Sequence, residues 1–293
     1  MSHVHEIELD LTRSLVDDPR AGHNRWHPDI PAVLRCAPGD TVALRARDGY
    51  DGQISRNSTA ADVLAMDAAR IHPLTGPVFI EGAEPGDLLV VDVLSVETGD
   101  FGATLNIPGF GFLRDEFTEP HIVRWEIADG FATSVDLPGV RLPGAPFMGV
   151  MGVAPSRELF ERNRSAEHRV AKEGGLVELP NPTSSVPPDL PGDPARRTIS
   201  PTEAGGNIDI KHLTAGSRVY LRSGLRAGCS PSATGTSRRE TANPVVPQWK
   251  PLQEWWCDST CASRRRRRAT CVICASSVSP PGPRRWPRGR TSR

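Results

Sequence analysis

"EPGDLLVVDVL", residues 84–94, is a tight turn that feeds a strand. Pro85 presets φ for the second position of a type II turn and Gly86 accepts the positive φ of the third. The run that follows is apolar on both faces except at Asp92, which predicts a strand at the centre of a sheet. The same device recurs in "APGDTVALRARD" (37–48), where Val42 and Leu44 alternate with Thr41, Ala43 and Arg45 and predict one wet face. "LTAGSRVYL" (213–221) is a weaker third copy.

Helical signals are few. "STAADVLAMDAARI" (58–71) has a Ser/Thr start, an early Asp62 and apolar residues near helical spacing. "APSRELFERNRSAEHRVAKEGG" (154–175) offers Ser156 as N-cap and Gly174-Gly175 as the stop. The Pro-rich segment 177–197 has little to bury and predicts an extended surface loop. Two helices among short strands punctuated by Pro and Gly predict a mostly β, sandwich-like domain whose site is assembled from loops.

The formal net charge of zero hides a division at Leu221. From Arg222 onward 15 basic residues face 3 acidic ones, +12, so residues 1–221 carry −12. Five of the six Cys and four of the six Trp follow Leu221, whereas every His, Phe and Tyr precedes it. We therefore separate a body, residues 1–221, from a basic, Cys- and Arg-rich segment, 222–293, predicted to be disordered. No stretch has the length of an apolar transmembrane span and the first residues lack a signal peptide's basic start, which predicts a cytoplasmic protein.

The polar residues that could carry chemistry fall in three stretches: "GHNRWHPDIP" (22–31), "HPLTGPVFIEGAEPGD" (72–87) and "EAGGNIDIKHL" (203–213). Taken singly, His23 and His27 read as surface loop residues, Asp29 as a turn cap, His72 as a structural histidine and Gly205-Gly206-Asn207 as a tight turn. The body's lone Cys36 is a weak nucleophile candidate; it has no G-x-S-x-G elbow, dinucleotide fingerprint or P-loop. His and carboxylates remain, a set suited to a metal that activates water.

"GHNRWHPDIP", "DGQI", "HPLTGPVFIEGAEPGDLLVVDVL", "PGFGFL", "GVAPS", "RTISPTEAGGNIDIKHL" and "GSRVYL" occur in the order and at the separations of the acetamidase/formamidase family, which the body resembles over residues 5–221. The resemblance implies hydrolysis of a short aliphatic amide to the acid and ammonia by a β-rich homo-oligomer that uses a divalent metal, zinc or calcium. Carried over by position, it implies Glu81 and Asp209 for proton transfer, Asn207 and Asn57 for holding the amide, and His72, Asp62 and Asp51 for the metal. A non-catalytic relative that binds a small amide is the alternative within that family. Nucleic acid and membrane are not expected as partners.

The resemblance stops at Leu221, where the family pattern continues with a strand and an acidic string. Loss of one base near codon 221 accounts for both facts. Each original codon then combines the third base of one present codon with the first two of the next. With compatible third bases, residues 222–242 become PVWVEGWVFSVGDGHFAQGDG, and the next stretch becomes ESGCAAVETPAGVVVRL. Some positions allow no choice: Trp249-Lys250 forces Glu, and Trp255-Trp256-Cys257 forces Val-Val. Gly235-Thr236 yields xAC, which permits His and excludes most residues.

Two other motifs follow from the same cause. Cys257, Cys261, Cys271 and Cys274 imitate a four-Cys zinc site, and Arg264–Arg268 imitates a nucleic-acid patch. In the shifted frame the Arg run becomes a Glu run. A nucleic-acid-binding protein that uses the Arg-rich segment is the competing expectation; the frame argument predicts an inactive amidase relative.

Overall fold

The computed structural model describes residues 3–175, 177–188, 190 and 196–222, together with the backbone of strands Ser232–Thr234, Ser237–Arg238, Gln248–Trp249, Gln253–Ala262 and Ala269–Ala275. The expectation of disorder beyond 222 otherwise falls outside the described residues.

The predicted turns form at all three places. Asp40, Asp87 and Ser217 each donate a backbone N–H to the carbonyl three residues earlier, at Ala37, Glu84 and Thr214. The residue before each, Gly39, Gly86 or Gly216, has φ between 85° and 95°. The Asp after the Gly has its own purpose, because its carboxylate accepts the N–H of the turn's first residue, at 2.9 Å from Ala37 and 2.8 Å from Glu84. Each turn opens a strand of one large sheet, with order Val4–Ile7, Asp40–Ala46, Gln253–Ala262, Ala269–Ala275, Leu88–Val96, Arg218–Arg222.

Leu88–Val96 lies inside the sheet with neighbours on both edges, next to the edge strand Arg218–Arg222 rather than at the centre, and Leu89, Val91 and Val93 enter the main core with Val42, Leu44, Ile80 and Met151. The wet face expected for Asp40–Ala46 is corrected: Ala43 and Ala46 are buried with Val42 and Leu44, leaving only Thr41 and Arg45 half-exposed. That strand has neighbours on both edges, and Thr75 of a second sheet reaches its backbone at Arg45, with Oγ1 2.6 Å from the carbonyl.

The helix expected over 58–71 is also shorter. It spans Ala60–Ala65, with Thr59 and Asp62 forming a capping box, and Met66 leaves helical space at ψ 130°. Asp67 stops it: its N–H goes to Gln53 Oε1 and its carboxylate caps the separate turn Ala68–Arg70. A short polar side chain that captures nearby backbone groups competes with helix continuation. The second helix, Arg157–Lys172, runs as predicted, capped by the Ser156 hydroxyl on Leu159 N–H and ended by Gly174 at φ 76°.

The Pro-rich segment is not a plain surface loop. Ser184, Ser185 and Val186 are buried because Asn24 brackets them, its amide donating to Ser184 O at 2.6 Å while its Oδ1 accepts Val186 N–H at 2.9 Å. The segment ends in the strand Arg196–Arg197, which pairs with Arg25–Trp26.

A five-stranded sheet has the order Gly205–Asn207, Val150–Gly152, Ser232–Thr234, Leu74–Thr75, Gly22–His23. A four-stranded sheet, Phe101–Asn106, His121–Ala128, Phe131–Thr133 and Arg141–Pro143, closes on its own small core of Val123, Trp125 and Ala132.

Candidate active site

The five-stranded sheet gathers the quoted motifs. "GHNRWHPDIP" supplies Gly22–His23, "HPLTGP" supplies Leu74–Thr75, and "EAGGNID" supplies Gly205–Asn207. Its glycines answer to close approach: a Cβ on Gly205, at φ 99°, would lie 2.3 Å from Met151 O, and one on Gly22 would lie 2.6 Å from Leu74 O. The motif strings thus bring backbones together where side chains would hold them apart.

His23 and His27 are buried, which corrects their reading as surface loop residues. The His23 ring stands edge-on to Trp26, with Nδ1 2.7 Å from Arg25 O. A carbonyl neighbour requires the proton on Nδ1. Burial pulls the His23 pKa down to about 4, so the ring is neutral at ordinary pH. His27 packs edge-on against Phe160 of the long helix, and burial lowers its pKa as well. Arg157 of that helix holds Asp29.

Four non-glycine residues among those described have positive φ: Asp51 (57°), His72 (61°), Asp129 (51°) and Asp209 (44°). Asp129 is explained by its place with Gly130 in the hairpin turn between His121–Ala128 and Phe131–Thr133. The other three are site residues expected from the sequence. Left-handed backbone outside such turns concentrates where side chains must be aimed.

His72 and Asp51 are tied to neighbouring points of one turn region, His72 through Gly49 and Asp51 through Arg70. His72 N–H donates to Gly49 O at 2.7 Å, and its carbonyl accepts the Thr198 hydroxyl at 2.9 Å. The buried Asp51 carboxylate accepts Leu15 N–H at 2.7 Å and Arg70 Nη2 at 3.0 Å. Burial raises the Asp51 pKa against the pull of these partners. A cavity of about 260 Å³ opens beside it, lined by Arg13, Arg47, Asp48, Asp51, Gln53 and Arg70 among others.

The turn carrying Arg70 and His72 is gripped from several directions. Gln53 and Ser184 bind Asp67, Arg197 donates to Ala68 O, and Asn24 reaches Ala69 O. Asn24, Arg70 and Arg197 were missed as candidates. The available signal was position: Asn24 and Arg197 lie inside the motif strings, and Arg70 lies two residues before one.

Asn207 and Asp209 stand at the other edge of the same sheet. Asn207 pairs with Val150, and Asp209 N–H donates to Gly149 O at 3.0 Å. Glu81 lies on an exposed turn, 3.9 Å from Arg35. Asn57 is exposed, and the exposed Asp62 carboxylate accepts the Thr59 N–H and hydroxyl, which lowers its pKa. His72, Asp51 and Asp62 therefore do not converge, and no group of three His, Cys, Asp or Glu able to hold a metal occurs among the described residues. The ligand set expected for zinc or calcium does not fit these residues alone.

Strands that carry His, Asp and Asn on glycine-spaced loops define a β-rich class shared with solved amide-bond hydrolases. The gamma lactamase from Delftia acidovorans has this fold with a TM-score of 0.77 and 28% identity, over 94% of this chain and 73% of that one. The acetamidase from Bacillus halodurans matches in fold alone, with a TM-score of 0.60 and 21% identity over 88% of this chain and 70% of that one. The chain belongs to the acetamidase/formamidase family, whose model matches residues 8–224. It is 38% identical to a formamidase of Methylophilus methylotrophus over 73% of this chain, and 35% identical to an acetamidase of Mycolicibacterium smegmatis over the same share. It spans 57% and 59% of the length of those relatives.

Proposed function

We propose that the gene encodes a hydrolase of short linear amides, formamide or acetamide, and that the 293-residue chain lacks this activity because residues 222–293 are translated out of register. The observation that carries the proposal is where the family match ends: residue 224, beside the point where charge changes sign and the codon test places the lost base.

The large sheet adds support. Its strand Gln253–Ala262 pairs Trp256 with Ala43 and Cys257 with Val42. Codons 255–257 read Val-Val in the other frame with no freedom of choice, which suits a strand between buried neighbours.

Amide hydrolysis needs a polarised carbonyl, an activated water and a proton for departing ammonia. In this proposal Asn207 orients the amide, Asp209 exchanges protons with water and the leaving nitrogen, and Glu81 assists from its turn. Asp51 and Arg70 fix the turn that aims His72. A divalent metal, zinc or calcium, would polarise the carbonyl when bound, although the described residues form no ligand set for it. Homo-oligomeric assembly and a cytoplasmic location belong to the proposal too; no helix among the described residues is long and apolar enough to cross a membrane.

Ammonia release from formamide and acetamide tests the proposal, with the purified chain and a frame-restored version assayed together. We expect none from the first and turnover from the second. Tight, salt-sensitive DNA or RNA binding lost on removing residues 222–293 would favour the nucleic-acid alternative instead.

A further inference from the structure

The cavity beside Asp51 is walled by three guanidinium groups and two carboxylates, all from residues that precede 222: Arg13, Arg47 and Arg70 with Asp48 and Asp51. Both carboxylates are engaged. Asp48 Oδ1 accepts Tyr50 N–H at 2.8 Å and its Oδ2 accepts Gly52 N–H at 2.6 Å, while Asp51 accepts Leu15 N–H and Arg70. Arg70 therefore has its counter-charge in Asp51.

Arg13 and Arg47 are held differently. The exposed Arg13 donates to the Asp17 carbonyl, and Arg47 Nη1 donates to the carbonyls of Asp10, at 3.1 Å, and Arg13. A carbonyl oxygen satisfies an N–H group without neutralising the cation. Arg47 Nε and Nη2 have no hydrogen-bond partner among the described residues, although the side chain is buried. Asp18 Oδ2 stands 3.9 Å from Nη2, beyond hydrogen-bond distance, and Asp18 Oδ1 holds Arg20. Asp10 is bound to the N–H and hydroxyl of Thr12. A buried cation with two unsatisfied N–H groups is costly, and burial lowers the Arg47 pKa against the pull of the aspartates around it.

Nε and Nη2 form one edge of the planar guanidinium, with two parallel N–H groups that match the two oxygens of a carboxylate. Arg124 uses the same edge to hold Asp136, at 3.0 Å and 2.5 Å. The charge of the surroundings narrows the choice of anion. The second charge of a phosphate would face Asp18, Asp48 and Asp51, whereas a neutral amide offers one acceptor and leaves the cation uncompensated. The cavity holds about 260 Å³. A water molecule's share of the liquid is about 30 Å³, so the space suits a ligand of a few heavy atoms.

We propose that this cavity is a binding site for a short-chain monocarboxylate, the class of formate and acetate, held by Arg47 and Arg13. It takes the acid in preference to the corresponding amide. The site stands without the amidase and frame proposals, because it uses no residue beyond 70 and its occupancy is read without turnover.

Equilibrium dialysis of the purified 293-residue chain against radiolabelled formate, acetate and acetamide tests it, at 0.15 M sodium chloride. We expect the two acids to bind one per chain with a Kd on the order of 1 mM, and acetamide at least about tenfold more weakly. Arg13→Gln and Arg47→Gln should each weaken acetate binding about tenfold or more, while Arg114→Gln, on an exposed loop, should leave it unchanged. If Arg47→Gln does not fold, Arg47→Lys replaces it; it keeps the charge, loses the two-pronged edge and should weaken binding as well. If the 293-residue chain itself does not fold, the frame-restored chain, whose cavity residues are the same, is dialysed in its place. Acetamide binding as tight as acetate, inorganic phosphate displacing acetate at equal concentration, or acetate binding that both arginine variants retain within threefold would each overturn the proposal and leave the amidase reading untouched. Failure of the restored chain to hydrolyse amides would overturn that reading and leave this site standing.

Discussion

The four-stranded sheet and the five-stranded sheet are built in opposite ways. The first joins four strands between Phe101 and Pro143, each paired with its neighbour in sequence. The second takes strands from around residues 22, 74, 150, 205 and 233, so each pairing closes a long loop. Local pairing is insensitive to what happens far along the chain, whereas a sheet assembled from distant segments fails if any one is wrong. The central strands of both larger sheets come from beyond residue 222, the region in which composition and family match break together. On the frame proposal, the altered residues fall on the middle strand of the five-stranded sheet and outside the hairpin sheet.

The largest expected effect is on activity. Restoring the frame should raise formamide or acetamide hydrolysis from background by at least about a thousandfold, the scale expected when several site groups act together, as measured by ammonia release. Equal turnover by both chains would erase the contrast between the sheets.

Next is backbone crowding in the five-stranded sheet. In the restored chain Gly205→Ala puts a methyl 2.3 Å from Met151 O at φ 99°, and should cost about 3 kcal/mol or more in urea unfolding. Hydrogen exchange in residues 101–143 should be unchanged below the global unfolding limit. Loss of protection there would mean that the two sheets are energetically one.

His23 gives a pH test of similar size. Its folded pKa of about 4 lies below the unfolded value near 6.5, so between these values the unfolded chain binds more protons. Stability should rise with pH through that window, by up to about 3 kcal/mol, be complete above 6.5, and be lost as pH falls towards 4. His23→Gln should flatten the rise, which a urea midpoint series from pH 4 to 7 would detect.

The smallest effect belongs to the local sheet. Trp125→Phe removes the 2.9 Å hydrogen bond from Trp125 Nε1 to Thr104 Oγ1 and should cost about 1 kcal/mol, with kcat of the restored enzyme unaltered. A fall in kcat would couple that sheet to the site.

Much of the fold was legible in the sequence because turn chemistry is local. Pro-Gly-Asp placed two strands and the weaker Ala-Gly-Ser turn a third, and Ser156 with Gly174 bounded the long helix. What was not legible depended on distant partners. Asp67 ended the first helix through Gln53, and Asn24 buried a Pro-rich segment some 160 positions away. Among site residues, motif position marked His72, Asp51 and Asp209, three of the four described side-chain-bearing residues with left-handed backbone. Glu81, Asn57 and Asp62 lie on exposed turns or caps, where a polar residue looks the same in sequence whether it serves chemistry or the local backbone.

The most direct test of the central claim is the nucleotide sequence around codon 221, determined from the source DNA. The account predicts one base fewer than in related amidase genes, with the shifted frame matching the family beyond that point through the strand slots at 232–234 and 253–262. An intact frame, with no family match in the alternative reading, would contradict it.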